Sequence, residues 1–205
     1  MTTHTLFPTL LHTAKLGGSS WPTFNRQLLR ECQQLAHDDV AGQRWSAKNY
    51  PGGYTSYNSV SRMQQLSPTF ATLERKLNRH VARFANALAM DLQGRQLSMT
   101  DCWVNIMPQQ VVHGLHLHPL STISGTYYVQ TPKHCSAIKF EDPRLDRFMA
   151  APPRRVDCTP QQRPWFVVPA EAGKLVLFES WLRHEVAPNP SHTERISISF
   201  NYNWF

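Results

Sequence analysis

The sequence predicts an α+β fold in which N-terminal helices buttress one face of an antiparallel sheet or barrel. Three observations lead there. Two stretches in the first half repeat apolar residues at helical spacing, and beyond Gly94 the chain changes to short β-prone runs separated by turn residues. Helices come first and strands second, the order of segregated layers rather than of alternating βα units.

The first helix is predicted from Thr23 to about Asp38, after Pro22, because Phe24, Leu28, Cys32 and Leu35 recur at spacings of four, four and three. Tyr50 to Tyr57, YPGGYTSY, mixes glycine, proline and tyrosine and suits a loop or short strand that walls a pocket. Ser67 then supplies an N-cap and Pro68 a first-turn proline. Phe70, Leu73, Leu77, Val81, Phe84 and Leu88 follow as one apolar stripe of a second helix. Strands are expected at Asp101–Met107, Ile123–Gln130, Ala137–Glu141, Trp165–Val168, Lys174–Glu179 and Arg195–Trp204. Pro-rich Ala150 to Pro164 reads as an inserted loop, and no internal repeat is visible. One domain over residues 1–205 is expected, with a helical part to about residue 95 and a β core from about 100.

A composition of 41% hydrophobic, 17% charged and 11% aromatic residues argues for a folded chain. No segment reaches the roughly 18 apolar residues of a membrane span, and the first residues lack a signal-peptide pattern, so a cytoplasmic protein without membrane contact is expected. Cys32, Cys102, Cys135 and Cys158 form no Cys-x-x-Cys pair, which argues against structural zinc and a disulfide scaffold. The formal charge of +7 permits an anionic partner. Lys and Arg are scattered, however, and the cluster Arg75, Lys76, Arg79 and Arg83 fits a solvated helix face, which argues against nucleic acid.

The histidines carry the chemistry. His113, His116 and His118 fall in VVHGLHLHP. In an extended chain alternate residues point the same way about 6.5 Å apart, so His116 and His118 can converge on one ion. His184 follows a predicted strand, and eleven residues later comes Arg195, with Ser197 two further on. Three imidazoles on one face of an octahedral metal leave positions for a chelating keto-acid and dioxygen. A fixed arginine beside a hydroxyl on the same strand face can grip the distal carboxylate of that acid.

Through WVNI, HLHPLSTISGTYYV, FEDPR, LVLFESWLRHEV and ERISISFNYNW, from Trp103 to Phe205, the sequence resembles the 2-oxoglutarate and iron(II)-dependent oxygenase superfamily, most closely a little-characterised bacterial and phage-type branch. The resemblance implies a double-stranded β-helix, the jelly-roll or cupin-like barrel. It implies Fe(II) held by His116, His118 and His184, and 2-oxoglutarate held by Arg195 with Ser197. It implies dioxygen as oxidant, decarboxylation of 2-oxoglutarate to succinate, and hydroxylation of a small molecule or peptide. The family's usual first motif is His-x-Asp or His-x-Glu, whereas position 118 is histidine here. Asp142 in FEDPR is the carboxylate that would complete the metal face in its place, and His113 is a spare imidazole.

Alternation on the last strand puts Arg195, Ser197, Ser199 and Asn201 on one face, expected to line the barrel interior, and Ile196, Ile198, Phe200 and Tyr202 on the other. Asn105 and either Tyr127 or Tyr128 are candidates to reach the co-substrate, with Tyr128 preferred, and Trp181 is expected as a wall. A cupin-type enzyme would need a glutamate soon after the second histidine, where PLSTISG stands. A non-catalytic barrel with a basic binding surface is the alternative that the charge allows. The prime substrate and the oligomeric state, a homodimer included, stay open.

Overall fold

The computed structural model describes residues 1–204. Ten strands form two sheets. The major, six-stranded sheet runs in the order β1 (Leu11–Lys15), β8 (Lys174–Glu179), β5 (Ile123–Gln130), β10 (Arg195–Trp204), β3 (Leu97–Met107), β2 (Tyr54–Thr55). The minor, four-stranded sheet runs β4 (His113–His116), β9 (His184–Val186), β6 (Ile138–Glu141), β7 (Trp165–Val168). Every pair within the sheets is antiparallel. From β3 onward the chain passes back and forth between the sheets, pausing only at the β6–β7 pair. This winding is the double-stranded β-helix.

The pleat of the central strands sorts side chains into two cores. On β10, Ile196, Ile198, Phe200 and Tyr202 face the helices, as do Tyr127 and Val129 of β5. Against them pack Leu28 and Cys32 of α1 (Trp21–Asp38) and Phe70, Leu73, Leu77, Val81 and Phe84 of α4 (Pro68–Ala87). Each such fully buried side chain contributes about 1.5–3 kcal/mol of transfer free energy. On the opposite face Tyr128, Val176 and Phe178 meet Ile138, Phe140, Val168 and Val186 of the minor sheet. The predicted cap holds: the Ser67 hydroxyl accepts from the amides of Thr69 and Phe70. The Thr69 hydroxyl donates to Glu31 at 2.6 Å, and Ser67 donates to the same carboxylate, which ties α1 to the start of α4.

The structure departs from the sequence expectation before residue 95. Two further helices occur, α2 (Val40–Asn49) and α3 (Met63–Leu66). In α2 only Gly42 and Ser46 are buried, so no apolar period announces it; Asp39 caps it by accepting from the Gly42 amide. The helical part also contains a strand, because β1 pairs with β8 at the edge of the major sheet. Helix α1 starts at Trp21 rather than Thr23. Residues 150–164 stay a loop apart from a single 3-10 turn at Pro160–Gln162. No described helix is long and apolar enough to cross a membrane, and all four cysteines are free thiols.

Candidate active site

The β4–β9 pair puts His116 directly opposite His184, with an irregularity in the pairing between His113 and His116. His118 lies just past the strand, where its amide donates to the Ser180 carbonyl at 2.9 Å. One ligand atom from each of His116, His118 and His184 lies within 4.8 Å of the other two. The Nε2 atoms of His116 and His118 are 3.3 Å apart.

The rear nitrogen of each ring is already engaged. Nδ1 of His116 is 2.7 Å from the Gly114 carbonyl and Nδ1 of His184 is 2.9 Å from the Leu182 carbonyl. Nδ1 of His118 is 2.8 Å from Oδ1 of Asn201. These oxygens only accept, so the protons sit on Nδ1 and the three Nε2 lone pairs are left for a common ion. Burial, then the neighbouring His116, pushes His118 down to about 4 and His184 down to about 2, and burial also lowers His116. At neutral pH all three imidazoles are therefore uncharged, the form that ligates a metal.

The carboxylate alternative finds a different role. Asp142 accepts from the Arg144 guanidinium at 2.8 Å and from the Arg144 amide at 3.0 Å, which holds its pKa below the usual carboxylate range. The metal-competent group contains no carboxylate. A carboxylate does stand behind it: Asn201, whose Oδ1 accepts from His118, directs its Nδ2 at Asp101, 3.4 Å away. Ser124 donates to the same Asn201 oxygen at 2.8 Å and is bonded to Ser180 at 2.7 Å. Sequence reasoning missed this support, although Asn201 had been placed on the interior face of β10.

A single cleft runs from the histidines to Arg195, lined also by Asn105, Thr126, Ser197 and Ser199. Arg195 is 3% exposed, and among the described residues it has no carboxylate partner. Its guanidinium lies over the Tyr128 ring, 4.9 Å from the centroid, and Nη1 reaches only the Met107 sulfur at 3.3 Å and the Ser197 hydroxyl at 3.5 Å. Ser197 is flanked by Asn105 on β3 and Tyr128 on β5. Arg195 Nε, the Tyr128 hydroxyl, Asn105 Oδ1 and the Tyr50 hydroxyl are all buried without a hydrogen-bond partner. A buried unpaired cation costs several kcal/mol, so the three unpaired donors in this group, Arg195 Nε and the Tyr128 and Tyr50 hydroxyls, mark an anion site, while Asn105 Oδ1 is an unpaired acceptor whose amide nitrogen donates to Ser199. The donors and the three imidazoles together fit a metal with a chelating, carboxylate-bearing acid.

Of the two tyrosines considered, Tyr128 faces this site. Tyr127 faces the helices, where its hydroxyl donates to Asn25 at 2.8 Å. Tyr50 was anticipated only as part of a wall. Its ring packs on Gly53, where a Cβ would stand 2.4 Å from it, so YPGGY needs its second glycine. His113 stacks on His116 with centroids 4.6 Å apart and lies outside the ligand group. Trp181 is 46% exposed, beside the histidine strand rather than in the cleft.

Comparison with known proteins bears on the family and the fold. The family model described as "Putative 2OG-Fe(II) oxygenase" matches residues 101–201, the stretch from β3 to β10. No curated protein matches the sequence. Among solved structures, a Pseudomonas putida prolyl-4-hydroxylase is similar over 96% of this chain and 94% of its own, at 15% identity and a TM-score of 0.62. HygX from Streptomyces hygroscopicus, solved with nickel and 2-oxoglutarate, is similar over 95% of this chain and 83% of its own, at 14% identity and a TM-score of 0.62. A Trichoplax adhaerens prolyl hydroxylase in complex with a hypoxia inducible factor peptide gives the same figures. At these identities the structural likeness speaks to the fold, and the fold is that of the matched family. The match over residues 101–201, together with the shared fold, identifies the β-helix core as that of a 2-oxoglutarate and iron(II)-dependent oxygenase, an oxidoreductase.

Proposed function

We propose that the protein hydroxylates a small molecule or peptide while 2-oxoglutarate is decarboxylated to succinate. His116, His118 and His184 are the iron ligands in this reading, and Arg195, Ser197, Asn105 and Tyr128 hold the co-substrate. Iron(II) with bound 2-oxoglutarate and dioxygen supplies the oxidising chemistry: one oxygen atom ends in succinate, carbon dioxide leaves, and the other oxygen is inserted into a C–H bond.

The chain's own residues bind and orient. The Gly114 and Leu182 carbonyls and the Asn201 amide oxygen fix the three imidazoles. Arg195 offers a fork of donors to the far carboxylate, with Ser197 and the Tyr128 hydroxyl beside it. The Tyr50 hydroxyl is buried in the same neighbourhood, where the Arg195 charge acts on it. Phe178 and Phe140 pack against His184 and keep water from that side of the metal position. A histidine at 118 leaves the metal face with one negative charge fewer than a carboxylate would give, and Asp101, reached through Asn201, restores part of it at a distance. Helices α1 and α4 pack on the sheet that carries Arg195, so we take the chain as one oxygenase domain.

The buried, carboxylate-free environment of Arg195 carries the proposal. Succinate release from 2-oxoglutarate in air, with iron(II) added, tests it. The protein should form succinate, and His116→Ala and His118→Ala should lose both iron binding and succinate formation, while Asp142→Ala keeps both. Wild-type iron affinity in His118→Ala, with loss in Asp142→Ala, would contradict the three-histidine assignment.

A further inference from the structure

The helix face that carries Lys76 and Arg79 does not simply face solvent. It forms one wall of a cavity of about 250 Å³ on the helical side of the major sheet, the side opposite the histidine cleft. Lys15 at the end of β1, Lys76, Arg79 and His80 of α4, and the aromatic rings of Trp21 and Phe24 of α1 line it, together with Ser20 and the turn before it. No carboxylate lines the cavity. Among the described residues Lys76 and Arg79 have no ion pair. Lys15 has only a 4.0 Å contact with Glu171, more than half exposed on both sides, and Glu171 is also held by Lys174. A pair so exposed is worth about 0–1 kcal/mol and gives way to a better-placed anion.

The aromatic wall is built rather than incidental. The Trp21 indole N–H donates to the Tyr127 hydroxyl at 3.0 Å, and the Tyr127 hydroxyl donates onward to Asn25. The indole edge beside that N–H rests on Gly173, where a Cβ would stand 2.8 Å from the ring. Lys76 is held over the Phe24 ring, 5.6 Å from its centroid. The opposite rim is open, since a Cβ at Gly17 or Gly18 would meet nothing within 4 Å.

Three full positive charges and an imidazole converge on a pocket with a rigid indole side. A single carboxylate would leave most of that charge unanswered, whereas a phosphate dianion offers oxygens to an arginine fork and to two lysines together. We propose that this cavity is a second binding site, separate from the oxygenase centre, for a phosphate monoester whose ring-bearing organic part lies against Trp21. The proposal does not depend on which residues hold the iron.

Calorimetric titration of phenyl phosphate into the intact, iron(II)-loaded protein, kept anaerobic and saturated with 2-oxoglutarate so that the Arg195 site is filled, tests it. One equivalent should bind, more tightly than inorganic phosphate or sulfate at the same ionic strength. Lys76→Glu and Arg79→Glu should each raise the dissociation constant by at least about tenfold, the scale of a lost charge-assisted contact. Trp21→Phe should narrow the preference for phenyl phosphate over inorganic phosphate. Circular dichroism and the affinity for 2-oxoglutarate, unchanged in the lysine and arginine variants, show that the fold is intact. Equal binding of all three anions, an unaltered titration in the charge-reversed variants, or displacement of phenyl phosphate by excess 2-oxoglutarate would each overturn the proposal.

Discussion

The two faces of the central strands β5 and β10 use one backbone for opposite ends. Toward the helices, Ile198, Phe200, Tyr202 and Tyr127 are packed without exposure, and the polar atoms there are paired: Tyr127 with Asn25 and Trp21, Tyr202 with Asn78 at 2.6 Å. Toward the minor sheet, one residue away along the chain, Tyr128 and Arg195 are buried as well, yet the Tyr128 hydroxyl and Arg195 Nε go unpaired. The helical face is closed by its own side chains. The cleft face has the donors of a binding site and needs a ligand to satisfy them. Stability and function are therefore separated by the pleat of the sheet, with a period of two residues.

If that separation holds, a change on the packed face should move stability and leave the cleft alone. Phe200 fills the space over Gly125, where a Cβ would stand 2.6 Å from its ring. Phe200→Ala should cost about 3–5 kcal/mol in urea unfolding. The folded, iron-loaded fraction should keep its 2-oxoglutarate affinity within about twofold, a shift of less than about 0.5 kcal/mol. A large loss of that affinity would show the two faces to be coupled.

A change on the cleft face should do the reverse. Asn201→Leu removes the acceptor behind His118 and should weaken iron(II) binding by about 10–100-fold, the usual effect of losing such a support. Asp101→Asn, one bond further back, should have the smaller effect of the two. Equal iron affinities in a competition titration with a chelator would break the link from Asp101 through Asn201 to His118.

Tyr128→Phe gives the finest separation. The Tyr128 hydroxyl is buried without a partner in the protein, so its removal should leave unfolding stability unchanged or raised. It should weaken 2-oxoglutarate by about fivefold, or about 1 kcal/mol, the worth of one hydrogen bond. A stability loss above about 2 kcal/mol would mean that the hydroxyl serves the fold instead.

Much of this was legible before the structure. The strands Ile123–Gln130, Trp165–Val168, Lys174–Glu179 and Arg195–Trp204 occur as predicted, because β-branched and aromatic runs between turn residues leave little choice. The interior face of β10 followed from alternation alone. His116, His118 and His184 were proposed from spacing and resemblance, and the fold brings them within reach of one ion. What stayed hidden depends on contacts distant in sequence. Strand β1 is visible only through its partner β8, 163 residues away at the Thr13–Val176 pair. Helix α2 buries no apolar stripe. Tyr50 was visible only as part of a pocket wall, because which hydroxyl remains without a partner is a property of packing.

The central claim, that Arg195 is buried to hold an anion and not to stabilise the fold, is tested by one titration. 2-Oxoglutarate is added to the anaerobic iron(II) form of Arg195→Leu while the visible charge-transfer band is followed, with urea unfolding of the same variant alongside. Removing an unpaired buried charge should leave stability unchanged or raised. The dissociation constant should rise by at least about thirtyfold, or about 2 kcal/mol, the lower end for a lost buried charged contact. A folded, iron-loaded variant with the wild-type titration curve would contradict the account.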